Sequence, residues 1–249
     1  MVTSSWFMVL PEEFTPEMFE EWYLDTHTVV AKQCQDLRRY CISRTYAAQP
    51  PQAHGGVFRI AQLWWDTPEK LRDSFISYSG SAVRGDALLN MGGNPYMAIT
   101  DDVQFDVARP ATFDPFAGCY RGTADGAIVK VLAYGMSDDA DIAQSYADSW
   151  ANLGEDERLR GHVFGTSINR TLEIGRLPGA SLPTEGQGFW DWMLELSFDS
   201  KQEAEAFLEG ERFASLWREL KERSGETHLS VNRAQDIFLS VDPLRHVEA

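Results

Sequence analysis

The chain has 249 residues, 43% of them hydrophobic, and a formal net charge of −16. That is enough apolar sequence for one large core or two smaller ones, and the negative balance removes the attraction on which binding to nucleic acid or an anionic membrane rests. The three cysteines, Cys34, Cys41 and Cys119, are scattered without a CxxC pair, which points to a reducing compartment and away from a disulfide framework or a zinc site.

In chain order, "SWFMVLPEE" is a short apolar run and reads as a strand. "TPEMFEEWYLDTHTVVAKQ" opens with a Thr cap, Pro at the first helical position and early Glu, the signature of a helix start. "LRRYCISRTYAA" alternates and is rich in β-branched and aromatic residues, as strands are, and after the loop "QPPQAHGG" a further strand follows in "VFRIAQLWWD". "TPEKLRDSFIS" repeats the Thr-Pro-Glu helix opening, and "PYMAITDDVQFDV" ends the half as a strand. A stretch rich in Pro and Gly, "ARPATFDPFAGCYRGTADG", shows neither period and is expected to be a linker.

The same order then returns: strand "AIVKVLAYGM", helix "ADIAQSYADSWANL", strand "RLRGHVFGTSINRTL", strand "GFWDWMLELSFD", helix "SKQEAEAFLEGERFASLWREL" and strand "THLSVNRAQDIFLSV". One constant offset places Val9-Leu10 on Val131-Leu132 and Leu37-Arg38 on Leu159-Arg160; a larger one places Asp102-Val103 on Asp236-Ile237. The difference falls in the loop "EIGRLPGASLPTEGQG", where insertions are tolerated. The expected fold class is α+β: two tandem ferredoxin-like βαββαβ units over 1–109 and 127–249, joined by a linker over 110–126. The strands are apolar on both faces, with Phe58, Ile60 and Trp64 on one side and Val57, Leu63 and Trp65 on the other. Trp190, Trp192, Leu194, Leu196 and Phe198 line one side of the matching strand. Two four-stranded antiparallel sheets facing one another would cover both bare faces as an α/β barrel. One chain would then be a monomeric pseudo-dimer, with further homodimerisation optional.

"MVTSSWFMVLPEEF" has no basic leader, and no window approaches ~18 uninterrupted apolar residues, so a cytoplasmic protein without membrane contact is expected. There is no GxGxxG, P-loop, HExxH or GxSxG, and no His/Cys/Asp/Glu cluster. Nucleotide, metal and serine-nucleophile chemistry are therefore not expected.

Phe19, Trp22, Tyr23, Thr26 and Val30 form one helical stripe, and His27 lies at its margin, where a ring can reach the seam between helix and sheet. Histidine there is either a structural group bonded to a carbonyl or a proton carrier, since its ordinary pKa of about 6.5 suits transfer near neutrality. Tyr40 shares a strand face with Arg38, Ile42, Arg44 and Tyr46 by period two. Its hydroxyl is either satisfied core or a group that holds a carbonyl or enolate oxygen. Arg38 and Arg44 are candidates for a carboxylate or enolate, or else pair with surface acids; Asp25 and Asp66 are candidates to orient His27.

The segment "FEEWYLDTHTVVAKQCQDLRRY" resembles the EthD-like branch of the dimeric α/β-barrel superfamily. Trp22, His27, Leu37, Arg38 and Tyr40 stand where that branch carries a Trp, a short gap and a His on the first helix, then a Leu-Arg-x-Tyr opening of the next strand. The second half departs from the pattern: "SYADSWANLGEDERLRGHVF" has no histidine on its helix, and His162 takes the place of Tyr40. The resemblance implies a pocket between sheet and helices for a hydrophobic, often aromatic or polyketide-like molecule. The superfamily includes lyases, dehydratases, cyclases, lactone isomerases and cofactor-free oxygenases, together with haem-binding branches for which one axial histidine suffices. It does not imply one reaction.

The expectation is a cofactor-independent enzyme of dehydratase, cyclase or isomerase type. His27 and Tyr40 would be catalytic; Trp22, Tyr23, Arg38, Arg44, Tyr46, Trp65 and His162 would bind substrate; no metal would be held. The alternatives are a cofactor-free monooxygenase of an electron-rich aromatic and a non-catalytic small-molecule binding protein.

Overall fold

The computed structural model describes residues 2–46, 57–90, 96–105, 113–114, 119–120, 128–137, 139, 142–146, 149, 163–171, 190–198 and 200–236. The strands, in chain order, are β1 Val2–Val9, β2 Arg39–Thr45, β3 Val57–Trp65, β4 Tyr96–Phe105, β5 Phe113–Asp114, β6 Cys119–Tyr120, β7 Ile128–Gly135, β8 Val163–Thr171, β9 Trp192–Phe198 and β10 Thr227–Asp236. Eight of them close into an antiparallel barrel in the order β1-β3-β2-β10-β7-β9-β8-β4. Within each run of four, β4-β1-β3-β2 and β8-β9-β7-β10, the first and third strands in chain order lie in the middle. The runs join where β2 pairs with β10 and where β4 pairs with β8. Closure pairs both edges of each of the eight barrel strands.

The helices cover the outside. α1 (Pro16–Trp22), a π-helical turn (Tyr23–His27) and α2 (Thr28–Ala31) follow β1; α3 (Pro68–Ile76) and α4 (Tyr78–Asn90) follow β3; α5 (Ile142–Ser145) follows β7; α6 (Lys201–Leu208) and α7 (Glu211–Arg223) follow β9. The Thr15, Thr67 and Ser200 hydroxyls accept the N–H groups of Met18, Lys70 and Glu203, capping α1, α3 and α6. Phe19, Tyr23, Ala31, Leu71 and Phe75 pack on the outward side chains Val2, Met8, Tyr40, Ile42, Ala61, Leu63 and Trp65. Ala204, Phe207, Phe213, Leu216 and Leu220 pack likewise on Val129, Val131, Ala133, Trp192, Leu194, Leu196 and Phe198. The inward faces supply a second apolar cluster of Phe7, Ile60, Leu132, Tyr134, Trp190 and Met193.

Several expectations are corrected. Val57 and Phe58 exchange faces, because the register between β1 and β3 shifts at Met8/Val9. A bulge of this kind flips the side chains beyond it, so Phe58 packs edge-on against Phe19 at 5.4 Å while Val57 joins the inward cluster. Trp190 precedes β9 and turns inward instead of sharing the outer face of Trp192. The offset matching the halves in sequence sets Phe7 on Val129 and Met8 on Lys130, yet each pair faces opposite ways. The segment read as an irregular linker contains the two-stranded pair β5–β6. The long second-half helix divides at Gly210, which occupies the N-cap of α7.

α4 is not signalled by apolar periodicity. It begins one residue after α3, and at Gly80 a Cβ would come within 2.2 Å of the Ser74 carbonyl oxygen. Only glycine admits that approach, and it lays α4 alongside α2 and the π-turn.

Candidate active site

The histidine motif is built on a break in helical period. Between α1 and α2 the Thr28 N–H reaches back five residues to the Tyr23 carbonyl, and the Thr28 hydroxyl covers the Leu24 carbonyl at 2.6 Å. In an α-helix Trp22 and His27 would be about 1.4 turns apart; a turn closed by an i→i+5 bond brings them nearly onto one line. Their rings lie 5.2 Å apart, and the Tyr23 ring lies 5.1 Å from that of His27. The margin position expected for His27 is thereby turned inward, and the residue is 6% exposed.

Asp86, on α4, completes the group. His27 Nδ1 lies 2.7 Å from Asp86 Oδ2, while Trp22 Nε1 and Asn90 Nδ2 donate to Asp86 Oδ1 at 3.2 and 3.0 Å. A carboxylate only accepts, so the ring proton of neutral His27 sits on Nδ1 and Nε2 keeps its lone pair. Burial lowers the His27 pKa below its ordinary value, and the Asp86 carboxylate opposes that without reversing it. The imidazole is therefore neutral at pH 7, the form a base must have.

Tyr40 and Tyr23 form a buried pair with their hydroxyl oxygens 2.7 Å apart. Burial pushes Tyr23 up to about 12, against the lowering field of Arg59, and raises Tyr40 well above its ordinary value. Both stay protonated, so the pair can donate to an oxyanion but supplies no phenolate.

His27 and Tyr40 line one cavity of about 60 Å³, together with Trp6, Ala61, Phe75 and Val83 among others. Cys34 also lines it, but burial pushes its thiol up to about 11, so it is not a ready nucleophile. Among the described residues no group of three or more His, Cys, Asp or Glu could hold a metal ion.

The other expected residues are placed elsewhere or play supporting parts. Trp22 and Tyr23 hold Asp86 and Tyr40 rather than lining the cavity. Trp65 is buried core, its Nε1 donating to the Gln35 carbonyl at 3.1 Å. Arg38 is on the surface, bonded to Asp66 through Nε at 2.8 Å, so neither Arg38 nor Asp66 reaches His27. Arg44 and Tyr46 line a separate cleft. His162, like His54 and His246, lies outside the described residues. Asp25 is exposed. The orienting carboxylate is Asp86, for which the sequence carried no spacing signal, since α4 itself was not foreseen.

No protein-family model and no curated protein matches the sequence. Solved structures do match in fold. An anthrone oxidase-like protein aligns over 94% of this chain and 92% of its own, at 10% identity and a TM-score of 0.58. A protein from Fusobacterium nucleatum named as a monooxygenase aligns over 96% and 94%, at 8% identity and a TM-score of 0.56. Another from Lactobacillus acidophilus, named likewise, aligns over 96% and 98%, at 6% identity and a TM-score of 0.50. The likeness is one of architecture along nearly the whole chain.

Proposed function

We propose that this protein is a cofactor-independent enzyme that removes a proton from a hydrophobic small molecule, with His27 as base. The observation that carries the reading is the His27–Asp86 pair at 2.7 Å beside a cavity that Tyr40 also lines. A neutral, oriented imidazole whose Nε2 keeps its lone pair is the arrangement a general base requires. The proton next to a substrate carbonyl would pass to Nε2, the carbonyl oxygen would gain enolate charge and accept the Tyr40 hydroxyl proton as a hydrogen bond, and Asp86 would stabilise the imidazolium. Collapse of the enolate with loss of a leaving group, ring closure or return of the proton at another carbon gives dehydration, cyclisation or isomerisation. Val83, Arg84 and Ala87 of α4 form one wall of this cavity.

A second reading shares the first step. The fold neighbours named as anthrone oxidase-like and monooxygenase favour an oxygenase, in which the deprotonated aromatic passes an electron to dioxygen. Turnover under nitrogen separates the two, since only the oxygenase stops.

We place this chemistry in an EthD-like frame of two tandem ferredoxin-like units, 1–109 and 127–249, whose sheets form one barrel across the 110–126 connection. The matching strand orders of the two runs support it. The test is His27→Ala, with rate and melting temperature measured on one preparation. A fall in turnover of about 10²–10⁴-fold in a folded protein is expected. A destabilised protein with full rate would retire the catalytic role and leave His27 structural.

A further inference from the structure

The second cleft on the outside of the barrel lies beyond the His27 cavity and takes no part in the proposed chemistry. Its volume is about 370 Å³, within the range of small-molecule sites. Glu20, Leu24, Ile42, Arg44, Tyr46, Arg59 and Arg233 are among its walls.

The three arginines are not scattered. In strand register Arg59 of β3 faces Arg44 of β2, and Arg44 in turn faces Arg233 of β10. They form one row across three neighbouring strands and across the junction of the two runs. Like charges placed directly opposite one another on a sheet destabilise it, and this chain has an excess of acids to neutralise them. Among the described residues that line the cleft, one, Glu20, is a carboxylate. Glu20 bonds Arg59, and it stands 3.7 Å from Arg44.

Two of the guanidiniums, those of Arg59 and Arg44, also rest on aromatic rings. Arg59 is 2% exposed, with its guanidinium 4.5 Å from the centre of the Tyr23 ring, and among the described residues its buried Nε, like Glu20 Oε1 beside it, has no hydrogen-bond partner. A buried donor without an acceptor is costly unless something supplies one. Arg44 is half-exposed, and its guanidinium lies 4.8 Å over the centre of the Phe58 ring. Leu24, Ile42 and Tyr46 add an apolar wall beside the charges.

We propose that this cleft is a binding site for a small organic anion, a carboxylate or phosphate ester, whose charged group sits on the Arg44–Arg59–Arg233 row and whose carbon skeleton lies on Leu24, Ile42 and Tyr46. Planar guanidiniums bind both oxyanions in forked geometry, which is why the two share one site chemistry. The proposal does not depend on the reaction at His27.

The test is titration calorimetry at pH 7 in low-chloride buffer, with inorganic phosphate and succinate as separate probes, on the wild type and on Arg44→Gln and Arg233→Gln. Both replaced residues have exposed side chains, so both variants should fold, as circular dichroism would verify. Saturable binding of one or both probes is expected, weakened by added salt and about tenfold weaker in each variant; the probe that binds tighter identifies the headgroup. His27→Ala should bind the probes as the wild type does, so a failure of the catalytic reading leaves this one standing. No binding of either probe at tens of millimolar, or wild-type affinity in Arg44→Gln, would overturn it.

Discussion

At the scale of single residues the proposed site depends on Asp86, which would act on substrate only through His27. Its carboxylate fixes the imidazole tautomer and raises the affinity of the ring for a proton, against the larger effect of burial. Asp86→Asn is therefore expected to lower the rate plateau and to shift its acid limb. Activity requires neutral His27, so the rate rises with pH through a folded-state pKa that already lies below 6.5. Without the carboxylate the proton is held more weakly, and the limb moves to lower pH. A pH–rate profile in which the limb stays fixed while the melting temperature falls would assign Asp86 a structural role only. Asp86→Glu tests the geometry: it keeps the charge and misplaces it, so a lowered plateau without the downward shift of the limb is expected.

At the scale of elements the π-turn decides which way the histidine faces. The extra residue places Trp22 and His27 on the same acceptor, which an unbroken α-helix cannot do. Deleting Asp25, an exposed residue inside the turn, restores the α-helical period and makes Trp22 and the histidine an i,i+4 pair, about 40° apart and still on one face. The variant is expected to remain folded, because α1 keeps its Thr15 cap and Phe19 its place in the core. It should keep most of its turnover, since both rings still face Asp86. A folded deletion variant with turnover at the level of His27→Ala would contradict this. The same scale explains the missed helix α4: its sequence "YSGSAVRGDALLN" contains two glycines and no continuous apolar stripe, and it is held by neighbours rather than by propensity.

At the scale of the whole molecule the barrel interior carries a buried charge pair that joins the two runs of strands. Lys130 on β7 is fully buried, and its Nζ lies 2.8 Å from Glu195 Oε1 and 3.0 Å from Gln62 Oε1. Gln62, from the other run, donates to Glu195 Oε2 at 3.1 Å. Removing one member strands the other, so Lys130→Met is expected to cost about 3–5 kcal/mol, whereas Lys130→Met with Glu195→Met should recover most of it. Denaturant titration of the three proteins checks this, and equal losses in the single and double variants would contradict it. Burial alone would raise the Glu195 pKa, but the Lys130 ammonium, with hydrogen bonds from Lys130 and Gln62, outweighs it and holds the carboxyl below 4.5. A depressed acid contributes stability that is present above its unfolded value and lost as pH falls through the folded one. The wild type should therefore lose stability below about pH 4.5 more steeply than Glu195→Gln.

What the sequence determined by itself is what local chemistry encodes. Thr-Pro-Glu openings fixed the starts of α1 and α3, alternation marked the strands, and the lone histidine on the first helix marked the candidate site. The apolar faces on both sides of the strands pointed to a closed antiparallel barrel, and eight strands form one. Tertiary structure alone decided the partners. The facing of Val57 and Phe58 turns on a one-residue register shift, and a period-two argument has no means of sensing a bulge. Asp86 lies 59 residues from His27, and Arg44, Arg59 and Arg233 come from three strands, so neither grouping has a spacing to read. Such contacts arise from packing and strand register, which are properties of the folded chain and not of any short window within it.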